Sequence, residues 1–272
     1  MKASDRQAFW DRLNRQPVSL DHTSTKPEIE PGEIEQFYIP LAETILARSA
    51  VGKRLVVAVA GPPGSGKTVF ATLLVAVINS LHGEDRAVVV GMDGWHYTNQ
   101  YLESNEIDLN GQRMLLRKIK GMPETYDFQS IHAFLEKIES EDRVDFPVYS
   151  RELHDPVYTG EAVQPWHSIV VFEGNYLLLD ETPWNQLQPF LDVRIFLKAD
   201  RQNLFEGLRQ RHSRGGKDPD QIDQQIERVD LPNIDRVLDH LAGADVIVYK
   251  ADSRRIIKME LKGKMSNSLA FT

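Results

Sequence analysis

Gly61-Pro62-Pro63-Gly64-Ser65-Gly66-Lys67-Thr68 has the spacing G-x-x-x-x-G-K-[ST], which suits a chain of phosphates. Several phosphate oxygens must be met at once by backbone N–H groups, and Gly61, Gly64 and Gly66 keep side chains out of that wrap. Ser65 belongs to the same turn. Lys67 has the charge and reach for the β- and γ-phosphates, and the Thr68 hydroxyl suits a Mg²⁺ ligand. Two acids stand at comparable places further on, Asp93 in Gly91-Met92-Asp93-Gly94 and Glu173 in Phe172-Glu173-Gly174-Asn175. Phosphoryl transfer asks for such a pair, one carboxylate to orient or deprotonate the attacking hydroxyl and one to hold Mg²⁺ directly or through water. An acid at a strand end also serves as a helix cap or turn former.

Those residues act together only if the fold aligns them. The apolar run Leu55 to Ala60 reads as a strand entering the glycine turn, and Val69 to Leu81 has helical periodicity after it. The N-terminus of that helix adds unpaired donors and partial positive charge. Continuous apolar strands are expected at Ala87 to Met92, Ser168 to Phe172, Val193 to Leu197 and Asp245 to Tyr249. Helices are expected at Phe128 to Glu139, Arg201 to Arg214, Pro219 to Arg228 and Ile234 to Ala242. The alternation implies an α/β fold, a doubly wound parallel sheet of the P-loop NTPase type with helices on both faces and ligands beyond the carboxyl ends of the strands. Upstream, Ser4 is placed to cap a short amphipathic helix carrying Phe9, Trp10 and Leu13, Gln16 to Gly32 reads as a polar linker, and Glu33 to Ala50 reads as helix. The expected division is an N-terminal helical arm and linker over residues 1–36 and a P-loop domain over 37–272.

Two further segments stand out. Thr98 to Pro165 is far longer than a minimal crossover and reads as a substrate-binding excursion. Arg209, Arg211, Arg214 and Lys217 gather around Gly215-Gly216 at a helix end, as a mobile lid closing cations over phosphates would, or as a solvated basic helix end. A guanine-reading N-K-x-D segment and an L-S-G-G-Q-like signature are both absent from the sequence.

The 272 residues hold no cysteine, which excludes a disulfide framework and cysteine-ligated zinc and fits a reducing compartment. The eight histidines show no H-x-x-x-H spacing. A formal charge of −8 argues against nonspecific nucleic-acid binding, although Arg254 to Lys264 is locally basic. Met1 to Gln16 is charged and broken, unlike a signal peptide, and no apolar run approaches a membrane span. The expectation is a cytoplasmic protein that acts on a small molecule, without nucleic-acid or membrane partners, and with a homodimer as one use for the N-terminal arm.

The whole set resembles the P-loop small-molecule kinases that include uridine kinase, phosphoribulokinase and type I (bacterial) pantothenate kinase, over roughly Tyr38 to Lys250. Lys120-Gly-Met-Pro-Glu-Thr-Tyr-Asp127 is similar to the pantothenate kinase segment K-G-F-P-E-S-Y-D, and Pro147-Val-Tyr-Ser150 to its P-V-Y-S. Uridine kinases share the strand-end aspartate, the E-G turn and a tyrosine followed five residues later by histidine, here Tyr149 and His154. Glu173 to Leu179 resembles the E-G-N-Y-L-L-L of bacterial uridine-kinase-like proteins, some of them labelled fructose-transport-associated kinases. The resemblance implies an ATP- and Mg²⁺-dependent kinase that phosphorylates a hydroxyl of a small polar metabolite such as a nucleoside, sugar or pantothenate-like acid. It implies Asp93 as the base, Glu173 with Thr68 at Mg²⁺, Lys67 at the phosphates, and Arg209, Arg211 and Arg214 in an Arg-rich lid. Tyr97, Asp127, Tyr149 and His154 would line the acceptor pocket, with Trp95 and His96 beside them. Asp127 equally suits the cap of a helix at Phe128, Tyr149 a packed aromatic, His154 a surface position and Trp95 the core. Pro219 to Val237 departs from the C-terminal region of pantothenate kinase, which leaves the acceptor open. The competing expectation is a nucleotide-binding regulatory ATPase module without a small-molecule acceptor.

Overall fold

The computed structural model describes residues 3–15, 30–49, 52–109, 111–214, 218–252 and 255–262. Helix α1 (Ala3–Arg15) is followed by α2 (Pro31–Glu33), which runs through a π-helical turn (Ile34–Tyr38) into α3 (Ile39–Arg48). Ser4, expected as a cap, is already inside α1. Strand β1 (Leu55–Ala60) enters the glycine turn, α4 (Lys67–His82) leaves it, and β2 (Ala87–Gly91) follows.

The long excursion folds as α5 (Asn99–Ser104), the hairpin β3 (Glu106–Leu109) with β4 (Gln112–Leu115), α6 (Phe128–Ser140), and two small ribbons. In those ribbons β5 (Val144–Asp145) pairs with β8 (Ala162–Val163), and β6 (Val148–Ser150) pairs with β7 (Asp155–Val157). The chain then returns to the sheet with β9 (Ile169–Gly174) and β10 (Val193–Ala199). Helices α7 (Arg201–Arg214), α8 (Pro219–Gln225) and α9 (Leu231–Asp239) follow, with a second π-helical turn (Ile226–Asp230) before α9, and β11 (Val246–Lys250) and β12 (Ile256–Leu261) end the described chain.

The central sheet has the order β12-β11-β10-β1-β9-β2, parallel throughout except for the antiparallel edge strand β12. The expected doubly wound architecture is therefore present, with the long excursion inserted between β2 and β9. Every residue of β1 and β9 is buried, as strands covered on both faces must be. Alternation divides them: Val57, Val59 and Val171 join Phe9, Leu13, Phe70 and Leu74 in one core, while Val56, Ala58 and Phe172 join Trp95, Phe134, Tyr176 and Trp184 in the other. The first core receives α1 and α4, tied further by a 2.6 Å bond from Arg12 Nε to the Ser80 carbonyl. The second receives α6.

Arg54, just ahead of β1, satisfies carbonyls at the end of α6. It donates to the carbonyls of Ile138 (3.2 Å) and Glu141 (2.5 Å), and also to that of Asp142, as well as to those of Gln164 (3.2 Å) and His167 (3.1 Å). Its positive charge sits where the helix dipole favours it.

Candidate active site

Strand register sets the geometry. Ala60 at the end of β1 pairs with Gly174 of β9, and Gly91 of β2 pairs with Glu173, so three carboxyl ends stop level. The glycine turn, Asp93 and Glu173 all leave from that edge. Gly64 and Gly66 adopt left-handed φ values of +84° and +82°, which free the turn from side chains and aim its amides outward. Ser65 is fully buried with an unpartnered hydroxyl, and Lys67 is nearly buried with Nζ 3.0 Å from the Pro62 carbonyl. A buried, unsatisfied hydroxyl inside a cradle of amides fits a ligand that brings its own oxygen atoms. Thr68 Oγ1 donates to Glu173 Oε1 at 3.0 Å, so the hydroxyl and carboxylate expected at Mg²⁺ are side by side. Among the described residues no group of three His, Cys, Asp or Glu side chains could hold a metal unaided. One carboxylate beside one hydroxyl is a donor set that suits a cation sharing its shell with phosphate and water.

Asp93 lies in a 3-10 turn (Met92–Trp95) directly after β2 and is exposed at the edge, where its Oδ1 accepts a 3.0 Å hydrogen bond from the Tyr126 hydroxyl. His96 lies against Tyr126 with ring centroids 3.9 Å apart and against Tyr149 at 5.2 Å. Trp95 belongs to the core instead, 4.8 Å from Phe134 and 5.8 Å from Phe172. Burial pushes the Tyr149 phenol up to about 12, with the Asp93 charge acting in the same direction. Asp93, His96, Tyr126 and Tyr149 thus form one wall.

Of the other pocket residues expected from sequence, Tyr97 stacks on Tyr101 at 4.4 Å, and its phenol is raised by burial and then by the charge of Asp127. Asp127 caps α6, accepting from Ser130 N (3.1 Å) and Ser130 Oγ (2.6 Å), which is the capping role its position allowed. His154 is exposed with a left-handed φ of 52°, and it enters the local hydrogen bonding through its carbonyl. That carbonyl accepts from Asn99 Nδ2 (3.0 Å) and from Lys120 Nζ (2.7 Å), while Lys120 also donates to Asn99 Oδ1 (2.7 Å) and lies 5.2 Å from the Tyr149 ring centre. Lys120 opens the Lys120 to Asp127 motif, where residue type and spacing alone assign it no role. Its own segment is pinned from behind: Tyr176 Oη and Asn233 Nδ2 (3.1 Å) both donate to the Gly121 carbonyl, and Arg236 of α9 grips Glu124 (2.6 Å) and Glu181 (2.6 Å). Burial opposes the Arg236 charge, but the two carboxylates outweigh it and hold the guanidinium above its usual range.

Helix α7 packs directly on the phosphate turn. A Cβ on Gly207 would lie 2.9 Å from the Gly64 carbonyl oxygen, and one on Gly64 would lie 2.7 Å from the Leu204 carbonyl oxygen. Only two glycines facing each other permit that approach. Arg209, one of the expected lid cations, is bonded to Asp223 of α8 through Nε (3.1 Å) and Nη2 (2.7 Å to Oδ2), with its guanidinium 5.2 Å from the Phe205 ring centre. Arg211 and Arg214 are on the last turns of α7, with side chains outside the described set, and Gly215, Gly216 and Lys217 lie outside the described residues. The buried pair His212 and Asp230, 2.9 Å apart, joins the end of α7 to the second π-helical turn.

The family model described as "Phosphoribulokinase / Uridine kinase family" matches residues 56–256. The chain belongs to that family. The uncharacterized protein YggC of Escherichia coli (strain K12) is 32% identical over 240 residues, covering 88% of this chain and 96% of YggC. A Schizosaccharomyces pombe protein provisionally named a uridine kinase is 26% identical over 203 residues, 73% of this chain and 84% of its own length. A solved structure from Silicibacter sp. TM1040, provisionally described as a fructose transport system kinase, superposes with a TM-score of 0.68 at 31% identity, covering 77% of this chain and 97% of that one. The chain is thus a P-loop kinase of the uridine kinase, phosphoribulokinase and pantothenate kinase type, a phosphotransferase with a hydroxyl acceptor, and kinases of this family use ATP with Mg²⁺. No helix among the described residues is long and apolar enough to cross a membrane.

Proposed function

We propose that this protein transfers the γ-phosphoryl group of ATP to a hydroxyl of a small polar metabolite, with Asp93 as the base facing that hydroxyl. The observation that carries the reading is the level edge of β1, β9 and β2, which sets the phosphate turn, the Thr68–Glu173 pair and Asp93 side by side. Backbone amides of the turn and Lys67 hold the phosphate chain, and Thr68 with Glu173 would hold Mg²⁺. Bound Mg²⁺ supplies neutralisation of phosphate charge as the phosphoryl group leaves. Asp93 takes the acceptor proton, with the Tyr126 hydroxyl fixing the carboxylate orientation. A loose transition state asks for alignment and charge compensation more than for covalent chemistry, which is what this set provides.

Coupled ADP release across nucleosides, sugars, pantothenate and glycerate tests the reading, with Asp93→Asn as control. At least one hydroxyl compound should accelerate ADP release, and Asp93→Asn should lower that turnover on the order of a hundredfold or more. ADP release indifferent to every acceptor would point instead to a regulatory ATPase.

A further inference from the structure

Lys120 is a cation of the acceptor side whose contacts are described and which the reaction above does not use. Its ammonium is half-buried, and both of its hydrogen-bond partners are neutral oxygens, Asn99 Oδ1 and the His154 carbonyl, each at 2.7 Å. Among the described residues no carboxylate forms an ion pair with it. Two neutral acceptors leave one of its three donors over, and the Tyr149 ring closes one side at 5.2 Å.

The charges around it come from every neighbouring element: Asp93 from the end of β2, Asp155 from β7, Glu103 from α5 and Arg117 from the turn after β4. Glu103 is engaged by Arg117 at 3.5 Å, and Asp155 accepts from the Asn99 amide at 2.7 Å. Asp93 is bonded to Tyr126. The nearby carboxylates thus have bonds of their own, while the ammonium has given up part of its water for neutral oxygens. Burial accordingly lowers its pKa to about 8, Arg117 adding to the effect and the three acids opposing it. A half-desolvated cation beside a phosphoryl acceptor site gains most from an anion that arrives with the substrate.

We propose that the acceptor carries, besides its reacting hydroxyl, an oxyanion group, a carboxylate or a phosphate, and that Lys120 recognises it. The inference rests on the phosphoryl-transfer reading and names the substrate class for the same site. The segment that carries Lys120 is held rigid by Tyr176 and Asn233 at the Gly121 carbonyl and by Arg236 at Glu124, as a specificity-determining residue requires.

The experiment compares paired acceptors that differ in charge: glycerate with glycerol, pantothenate with panthenol, and sugar phosphates with the parent sugars. Wild type, Lys120→Met and Lys120→Arg are assayed for kcat/KM, and an ATP-induced rise in Tm reports that each variant is folded. In the wild type the anionic member of at least one pair should be preferred. The carboxylate and phosphate arms distinguish the two sources. Lys120→Met should shrink that preference roughly tenfold to a hundredfold, the range of a charge-assisted hydrogen bond, and Lys120→Arg should restore much of it. Preference for neutral acceptors, or an anionic preference that survives in Lys120→Met, overturns the proposal. Equal losses on both members of each pair also overturn it, because they would make Lys120 a counter-ion for Asp93. ADP release unaffected by any acceptor, with ATP binding intact, would overturn the phosphoryl-transfer reading itself.

Discussion

In the proposed reaction Lys67 and Tyr126 would act at different depths, and their substitutions should separate accordingly. Lys67→Ala removes the only side-chain cation within the glycine turn, and phosphoryl transfer should fall below detection in the coupled assay. Tyr126→Phe keeps the ring that packs on His96 and deletes only the donor to Asp93. Losing one such bond costs about 1 kcal/mol, so kcat should drop roughly fivefold with KM for ATP unchanged. A matching rise in KM for ATP would show that Tyr126 supports the phosphate turn instead. The placing of Lys67, Thr68, Asp93 and Glu173 along one edge of the sheet was legible in the sequence because each follows soon after an apolar strand run. Lys120 and Tyr126 meet Tyr149, His154 and Asp93 across 29 to 34 residues of the excursion, where no period announces who will touch whom. Asp127 shows the reverse problem, since one residue type fits both a pocket and a helix cap, and the structure uses it as the cap.

Among the elements, α7 approaches the phosphate turn closely enough that a single methyl would disturb it. Gly207→Ala would put a methyl 2.9 Å from the Gly64 carbonyl oxygen, closer than carbon tolerates, so the helix or the turn must yield. KM for ATP should rise on the order of tenfold in a variant that still folds, as misplacement of a phosphate cradle by a fraction of an ångström would produce. Unchanged KM in steady-state assays would show that α7 moves away without cost to the turn. The long elements were legible because β1, β2, β9, β10 and β11 read as apolar runs and α6 as a helix between them. The ribbons β5–β8 and β6–β7 were not, since two- and three-residue strands are too short to show alternation. Nor were the π-helical turns, whose sequences read as ordinary helix.

Across the whole molecule, the N-terminal segment is tied to the far end of the sheet through charge. Lys250 of β11 is buried, and burial holds its pKa at about 8 against an ordinary 10.5, while Glu33 and Asp252 pull the other way. A base with a depressed folded-state pKa binds its proton more weakly folded than unfolded, so stability rises with pH between its folded and unfolded values. Lys120 acts in the same sense. Above pH 10 the trend turns, because the buried phenols of Tyr38 and Tyr176 are held well above 10 and the unfolded chain ionises first. Denaturant midpoints should therefore climb between about pH 8 and 10, and Lys250→Met should flatten the climb. An identical slope in the variant would remove Lys250 from the account.

Strand β12 closes one margin of the sheet in antiparallel sense, and Lys258 lies beside Glu260 on it, the two bonded to each other. An open margin of amides and carbonyls is a template for fibrous growth, and charges set along it make a second copy an uncomfortable neighbour. Ile257, 62% exposed between Ile256 and Lys258, is the residue such growth would recruit. Replacing Lys258 and Glu260 with valine should thus leave folding intact yet make concentrated solutions turbid on warming, a change that light scattering would register.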